Sequence, residues 1–211
     1  MIVAVYKERG PTSREVVNKI KKLVGEKKVG HGGTLDPLAE GVLIVGVGRE
    51  STKKLHSPQF EEKEYIAKIK LGWSSETDDE EGEKQEVEVT NPPGIDEVEK
   101  AVSSFEGIIK QVPPKFSAVK IKGKEAYKYS RKGVEVTIKE RPAEIKKITI
   151  ISYTYPFLNI KTVTGKGVYI RSLARDIGEK LSTKGYLHSL IRTRVGKFTI
   201  NDCKEYSFFE N

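Results

Sequence analysis

The sequence predicts an α+β domain of about eight strands and five helices. Residues 63–72 alternate apolar and polar side chains, a pattern typical of a half-buried strand. Residues 16–24 instead follow a helical spacing that places five apolar side chains on one face: Val16, Val17, Ile20, Leu23 and Val24. The length of 211 residues suits one large domain, so residues 1–211 are predicted to fold together.

The first elements are predicted to be a strand, a helix and a second strand. Residues 2–6 are mostly apolar and predict a short strand. Thr12 and Glu15 have the spacing of a capping box, which predicts that a helix begins after Thr12. The apolar run of residues 42–47 predicts a buried strand.

The later elements follow an acidic loop, residues 77–82, for which we expect a structural role. A strand is predicted at residues 86–90 as the return from this loop, and a helix at residues 95–105. Two further strands are predicted at residues 145–152 and 157–163. A last helix has four apolar residues on its inner face: Leu173, Ala174, Ile177 and Leu181.

The charge of the chain is positive and unevenly distributed. The 38 Lys and Arg residues outnumber the 30 Asp and Glu residues, giving a net charge of +8, which favours a polyanionic partner. Residues 74–99 hold 11 acidic residues and one basic residue, whereas residues 110–147 hold 12 basic and four acidic residues. This asymmetry fits an RNA-facing side with an acidic patch turned away, and it fits equally the solvated surface of a heat-adapted protein.

Several classes of site are excluded by residue counts and spacing. The single cysteine, Cys203, excludes an intramolecular disulfide and a multi-cysteine zinc site. The three histidines lie far apart and show no metal-ligand spacing. Residues 30–33 lack the Gly-Lys-Ser/Thr ending of a phosphate-binding loop. No apolar run reaches about 18 residues and the N-terminus does not resemble a signal peptide, so we expect a cytoplasmic protein without metal or cofactor.

One carboxylate stands at the junction between a glycine-rich loop and the predicted buried strand. Three glycines surround His31 in residues 30–33, and Asp36 follows. Pro37 disfavours the α conformation at Asp36, which holds the carboxylate on an extended segment. Such a junction suits catalysis, because loops carry function when a rigid element positions them. The alternative is an ordinary Asp-Pro turn at the surface.

The whole string from Gly30 to Leu43 resembles the central motif of the TruB family of tRNA pseudouridine synthases. Further motifs of that family match four stretches: residues 63–65, 111–118, 167–171 and 190–198. The resemblance implies the pseudouridine synthase fold, a mixed and mainly antiparallel sheet with flanking helices and a basic RNA-binding cleft. The resemblance covers nearly the whole chain, so we expect a catalytic domain only, without the C-terminal PUA domain of longer relatives.

The resemblance assigns catalysis to three residues. Asp36 matches the catalytic aspartate, and Arg171 matches the arginine that pairs with it. A pairing arginine would keep the carboxylate ionised. Tyr65 matches the tyrosine that stacks on the target base, where it would also assist proton removal. From the residues alone, Tyr65 is by default a core aromatic of a strand.

Three further residues are implied to lie around the target base. His31 would fill the gap that the flipped base leaves in the RNA. Lys53 matches a lysine near the active site, and Leu190 matches an aliphatic residue that packs beneath it. From the residues alone, Lys53 reads as a surface lysine and Leu190 as an ordinary core leucine.

A basic segment at about residues 116–141 is predicted to bind RNA. Lys120, Tyr127 and Arg131 combine positive charge with an aromatic face, which suits backbone contacts and base stacking. The resemblance implies an insertion that grips the T arm of tRNA, and we expect it to be mobile without RNA. The alternative is a solvated helical hairpin.

The implied reaction converts uridine-55 of the tRNA T loop to pseudouridine. The bond from uracil N1 to ribose C1′ breaks and a bond from C5 to C1′ forms, with no cofactor, metal or redox step. The base must first leave the stack. Asp36 could attack C1′, attack C6 or act as the base of an elimination, and the sequence leaves these routes open.

Two other functions stay open at this point. One is a guide-RNA-dependent synthase within a ribonucleoprotein, and the other is a non-catalytic module that binds or folds tRNA. The sequence of residues 36–41, Asp-Pro-Leu-Ala-Glu-Gly, favours the stand-alone enzyme. We therefore expect a monomer whose partner is the T stem-loop of tRNA, with no membrane association.

Overall fold

The computed structural model describes residues 1–121, 123–130, 133–134 and 136–210. These residues form five α-helices: α1 (Ser13–Val24), α2 (Arg49–Lys54), α3 (Ile95–Ser103), α4 (Ala126–Ser130) and α5 (Ile170–Lys180). They also form thirteen strands: β1 (Ile2–Lys7), β2 (Val29–Gly32), β3 (Ala39–Val47), β4 (Lys63–Leu71), β5 (Trp73–Ser75), β6 (Lys84–Glu86), β7 (Gly107–Gln111), β8 (Lys120–Ile121), β9 (Lys124–Glu125), β10 (Arg141–Thr154), β11 (Phe157–Thr164), β12 (Gly185–Val195) and β13 (Phe198–Thr199). None of the helices in the described part of the chain is long and apolar enough to span a membrane.

The chain divides into two compact units, and the first comprises Met1–Ile66 with residues 190–210. Its central strand is β3, to which β1 and β2 pair antiparallel. Residues 190–192 of β12 pair with β3 in the parallel direction, with Leu190 opposite Ala39. The sheet of this unit is therefore mixed, as predicted.

Helix α1 covers the sheet of the first unit, and its start is the predicted capping box. The Thr12 hydroxyl accepts from the Glu15 backbone N–H at 3.2 Å, and the Thr12 N–H donates to the Glu15 carboxylate at 2.7 Å. These bonds satisfy N–H groups that the first turn leaves open. The inner face of α1 then packs on β1 and β3 in one core cluster: Val3, Val5, Val16, Ile20, Leu43, Val45 and Phe209.

The second unit comprises Ala67–Ser189. Strand β10 lies between β7 and β11 and is antiparallel to both, so that Ile145 faces Gly107 on one side and Thr164 on the other. Two small antiparallel pairs, β5–β6 and β8–β9, also belong to this unit. Helix α5 buries the predicted apolar face through Leu173, Ala174 and Ile177.

The strand predicted at residues 86–90 is wrong. The return strand is β6, which ends at Glu86, and residues 87–89 belong to no strand. The alternating Glu-Val-Glu-Val pattern is present, but a strand also needs a partner ladder. Of these residues, Val87 donates its N–H to the Gly72 carbonyl at 2.9 Å, and the chain bends at residues 90–91.

The other predicted elements are confirmed, with shifted ends. Helix α3 is two residues shorter than predicted, and β10 is longer than the predicted strand at both ends. The strand count exceeds eight because β2, β5, β8, β9 and β13 are two to four residues long. Such short pairings leave no periodicity in the sequence to detect.

Candidate active site

Asp36 lies on a loop of the first unit whose backbone is fixed on several sides. Residues 36–39 form a β-turn in which the Ala39 N–H donates to the Asp36 carbonyl at 3.0 Å and Pro37 occupies the second position. The buried Ser13 hydroxyl donates to the Leu35 carbonyl at 2.9 Å and accepts from the Leu35 N–H at 2.8 Å. The first turn of α1 thus holds the residue immediately before Asp36.

A buried lysine holds the other side of the turn. Lys7, the last residue of β1, is fully buried, and its ammonium donates to the carbonyls of Glu8 at 3.0 Å and Ala39 at 2.5 Å. The Pro37 carbonyl accepts from Lys7 at 3.4 Å and from the Gly10 N–H at 2.8 Å. A buried charge of this kind must be compensated by acceptors, and two of the three acceptors here, the carbonyls of Pro37 and Ala39, belong to the Asp36 turn.

Arg192, which the sequence analysis did not single out, lies beneath the loop. Its side chain is buried, and it donates to the Val42 carbonyl at 2.7 Å, the Gly33 carbonyl at 3.1 Å and the Thr34 carbonyl at 3.4 Å. The available signal was an arginine on the same strand face as Leu190, at a position where a core residue is expected.

Electrostatic interactions connect three side chains of the first unit, those of Asp36, Tyr65 and Arg192. Tyr65 lies in β4 and is buried. Burial raises the pKa of the Tyr65 phenol and the charge of Asp36 raises it further, whereas the charge of Arg192 and a hydrogen bond with it act in the opposite direction. The phenol is therefore neutral near pH 7, and the three groups form one local cluster in the first unit.

His31 lies half-buried in β2, opposite Val45. Burial lowers its pKa, and the positive charges of Arg192, Arg14 and His56 add to this effect. Within the described residues, nothing bonds to the buried Nδ1 atom of His31. The ring is neutral near pH 7 and retains an unsatisfied nitrogen.

Arg171 lies at the start of α5 in the second unit and is 6% exposed. Its guanidinium donates to the carbonyls of Thr77 at 3.2 Å and Phe116 at 3.0 Å, and Nη1 lies 3.5 Å from the Asp79 carboxylate. Asp79 in turn accepts from the Glu81 N–H at 3.0 Å. The acidic loop that we predicted to be structural therefore fixes Arg171, and its pairing with Asp36 stays a prediction.

The other predicted site residues lie on several elements. Leu190 is buried in β12, opposite Ala39. Lys53 is exposed in α2 and pairs with Glu50 at 2.9 Å. Lys120 is exposed in β8 and Tyr127 is half-buried in α4.

The remaining predictions concern Arg131, the absence of a metal site and the basic segment. Arg131 lies outside the described residues. In the described part of the chain, no group of three or more His, Cys, Asp or Glu side chains could hold a metal ion. The predicted basic cleft and the predicted mobility of residues 116–141 both stay predictions.

Comparison with known proteins identifies the family. A family model described as TruB family pseudouridylate synthase (N terminal domain) matches residues 21–170. A protein of Bacillus pumilus named tRNA pseudouridine synthase B is 42% identical over 96% of this chain and 67% of its own length. A protein of the same name from Parabacteroides distasonis is 43% identical over 91% of this chain and 84% of its own length.

Solved structures support the same assignment at the level of the fold. A chain from the crystal structure of a Cbf5–Nop10–Gar1 complex is 30% identical, with a TM-score of 0.72 over 94% of this chain and 49% of that chain. A chain from an archaeal box H/ACA sRNP Nop10–Cbf5 complex is 25% identical, with a TM-score of 0.71 over 99% of this chain and 52% of that chain. This chain spans about half the length of those two. It has the pseudouridine synthase fold and belongs to the TruB family of pseudouridylate synthases.

Proposed function

We propose that this chain is a stand-alone tRNA pseudouridine synthase that isomerises uridine-55 of the T loop. The observation that carries the proposal is the clustering of Asp36, Tyr65 and Arg192 around a fixed loop. The relatives named tRNA pseudouridine synthase B supply the substrate class. A uridine in the T loop is stacked and paired, so it must be flipped before its C1′ and C6 atoms can be reached.

Asp36 is the group that we assign to the chemical step. The N1–C1′ bond breaks, the C5–C1′ bond forms, and one proton leaves C5 while another is gained at N1, so the base is isomerised without a cofactor. Attack at C1′, attack at C6 and elimination all use an ionised carboxylate. We assign Arg171 to pair with this carboxylate and keep it ionised, as the motif of residues 167–171 implies. Asp79 and two backbone carbonyls hold the Arg171 guanidinium in place.

Tyr65, His31 and Leu190 are assigned to hold the flipped base and the RNA that it leaves. A neutral phenol offers an aromatic face for stacking and an oxygen that can take part in proton transfer. The neutral His31 ring, with its unsatisfied nitrogen, suits insertion into the gap in the T loop. Leu190 supplies an apolar surface beneath the base.

We assign binding of the T arm to the basic segment at residues 116–141, through Lys120, Tyr127 and Arg131. Lys53 is assigned as a further contact with the RNA. Lys120 is exposed and lies in the β8–β9 hairpin. A basic hairpin followed by an aromatic residue suits phosphate contacts and base stacking. The predicted monomeric state and cytoplasmic location stay predictions.

The second candidate is a guide-RNA-dependent synthase, which the similarity to chains from Cbf5 complexes favours. A single experiment separates the two. Purified protein is incubated with an unmodified tRNA transcript and no other component, and a transcript with cytidine at position 55 is the control. Pseudouridine at position 55 supports the stand-alone enzyme, whereas product only after addition of guide RNA and partner proteins supports the second candidate. Binding without product under both conditions supports the non-catalytic module.

A further inference from the structure

The Arg192 guanidinium bridges two segments of the first unit that are adjacent to the Asp36 turn. Two of its nitrogens donate to consecutive loop carbonyls, those of Gly33 at 3.1 Å and Thr34 at 3.4 Å. Its Nε donates to the Val42 carbonyl of β3 at 2.7 Å. A planar guanidinium can reach acceptors on two segments at once, which an ammonium group cannot do.

Stability alone does not explain a buried arginine at this position. Arg192 is 1% exposed, and apolar residues of similar size often replace buried ionic groups without loss of stability. Three of its acceptors are backbone carbonyls, two of them on the loop that carries Asp36, and its side chain also bonds to Tyr65. The arginine therefore serves the conformation of this loop.

The rest of the turn is held by other residues, which leaves a specific task for Arg192. Ser13 fixes Leu35, and Lys7 and Gly10 fix Pro37. Gly33 has a φ of 91°, in the region that glycine adopts freely. Arg192 is therefore the observed hydrogen-bond donor to the remaining part of the loop, the carbonyls of residues 33 and 34.

We propose that Arg192 is a positioning residue, whose guanidinium fixes the carbonyls of residues 33 and 34 and thereby sets the position of the Asp36 carboxylate relative to Tyr65. Arg192 does not itself take part in bond breaking or proton transfer. The inference rests on the proposed function, since it assigns Arg192 to the chemical step that Asp36 performs. It predicts a loss in the rate of that step with tRNA binding retained.

Arg192→Lys is the variant that tests this role, and Arg194→Lys is its matched control. Lysine keeps the charge but lacks the planar guanidinium whose several donors join the loop to β3. Arg194 lies two residues further along the same strand, where it pairs with Glu62 at 2.8 Å and bonds to Gly196 at 2.8 Å. For each protein we measure the single-turnover rate of pseudouridine formation, the tRNA dissociation constant, the melting temperature and amide hydrogen exchange over residues 30–41.

We expect Arg192→Lys to lower the single-turnover rate about a hundredfold, as a small misplacement of a reacting group does. Its tRNA affinity stays within about twofold of the unmodified protein, and exchange becomes faster in the peptide of residues 30–41 but not elsewhere. Arg194→Lys changes neither rate nor exchange. A merely structural role would lower the melting temperature and leave the rate of the folded protein unchanged.

Three results would overturn the inference: an unchanged rate, a rate loss without faster exchange in residues 30–41, or equal losses in both variants. If Arg192→Lys does not fold, Arg192→Gln is measured instead, since its amide donates to one carbonyl without a charge. Failure of both variants to fold counts against a positioning role. If the unmodified protein and Arg194→Lys make no pseudouridine, the proposed function fails, whereas the exchange measurement still tests the loop contact.

Discussion

Gly41 and Arg192 face each other across the parallel pairing of β3 and β12. A Cβ atom added to Gly41 would lie 2.2 Å from the carbonyl oxygen of Arg192. This close approach brings the Arg192 side chain beneath the Asp36 loop. Gly41 also has a φ of 110°, which L-residues rarely adopt. The sequence motif that carries Asp36 therefore also contains the glycine that admits Arg192.

Replacing Gly41 with alanine should destabilise the protein strongly. The added Cβ overlaps the backbone of β12 and the positive φ is strained, so we expect the unfolding free energy to fall by roughly 3 kcal/mol or more. Gly10→Ala is the control, because Gly10 has a φ of 111° but no atom within 4 Å of the added Cβ. It should lose about 1–2 kcal/mol in urea denaturation. Equal losses for the two variants would show that the clash with β12 is unimportant.

Replacing Arg171 with lysine should remove most of the activity. A lysine cannot keep the contacts to Asp79, Thr77 and Phe116 and also present a planar pair of donors to a second carboxylate. We expect the single-turnover rate to fall about a hundredfold.

Arg175→Lys is the matched control for Arg171→Lys. Arg175 lies one turn further along α5, where it pairs with Asp78 at 2.7 Å. Its replacement should leave the rate within about threefold of the unmodified protein. Wild-type activity of Arg171→Lys would argue against the proposed pairing with Asp36.

Removing the charge of Lys120 should weaken tRNA binding and reduce its dependence on salt. Each phosphate contact contributes about 0.9 to the slope of the logarithm of affinity against the logarithm of salt concentration. Lys120→Gln is therefore expected to flatten that slope by up to this amount. Lys184→Gln, at an exposed lysine paired with Glu179, serves as the control and should leave the slope unchanged. A slope that Lys120→Gln does not alter would exclude a phosphate contact at this lysine.

His31 should make the protein less stable in acid. Its pKa is lowered by burial and by neighbouring positive charges, so the unfolded chain binds a proton that the folded protein does not. The stabilisation is complete above the unfolded pKa of about 6.5 and is lost as the pH falls from there towards the folded pKa. The melting temperature of the unmodified protein should consequently fall more between pH 7.5 and pH 5 than that of His31→Gln. His56→Gln removes only one of the positive charges that lower the His31 pKa, so this variant should retain most of the larger fall.

Local features of the fold could be predicted from the sequence, whereas contacts between distant segments could not. The capping box of α1 involves Thr12 and Glu15, three residues apart, and it is found as predicted. The partners of Arg192 lie about 150 residues earlier in the chain, and the parallel register that brings them together leaves no local pattern. Asp79 as a partner of Arg171 was missed for the same reason, because a pattern of acidic residues in a loop does not reveal which cation it faces.

The most direct measurement compares Asp36→Asn with the unmodified protein on an unmodified tRNA transcript, with pseudouridine mapped by position and tRNA affinity measured in parallel. Asparagine keeps the shape of the side chain but cannot ionise. The control is Glu40→Gln, which removes a carboxylate of the same motif that acts on Tyr6 instead. We expect Asp36→Asn to bind tRNA normally and to lose product at position 55 by about a thousandfold or more, while Glu40→Gln keeps its activity. Product at the unmodified rate from Asp36→Asn would contradict the assignment of catalysis to this carboxylate.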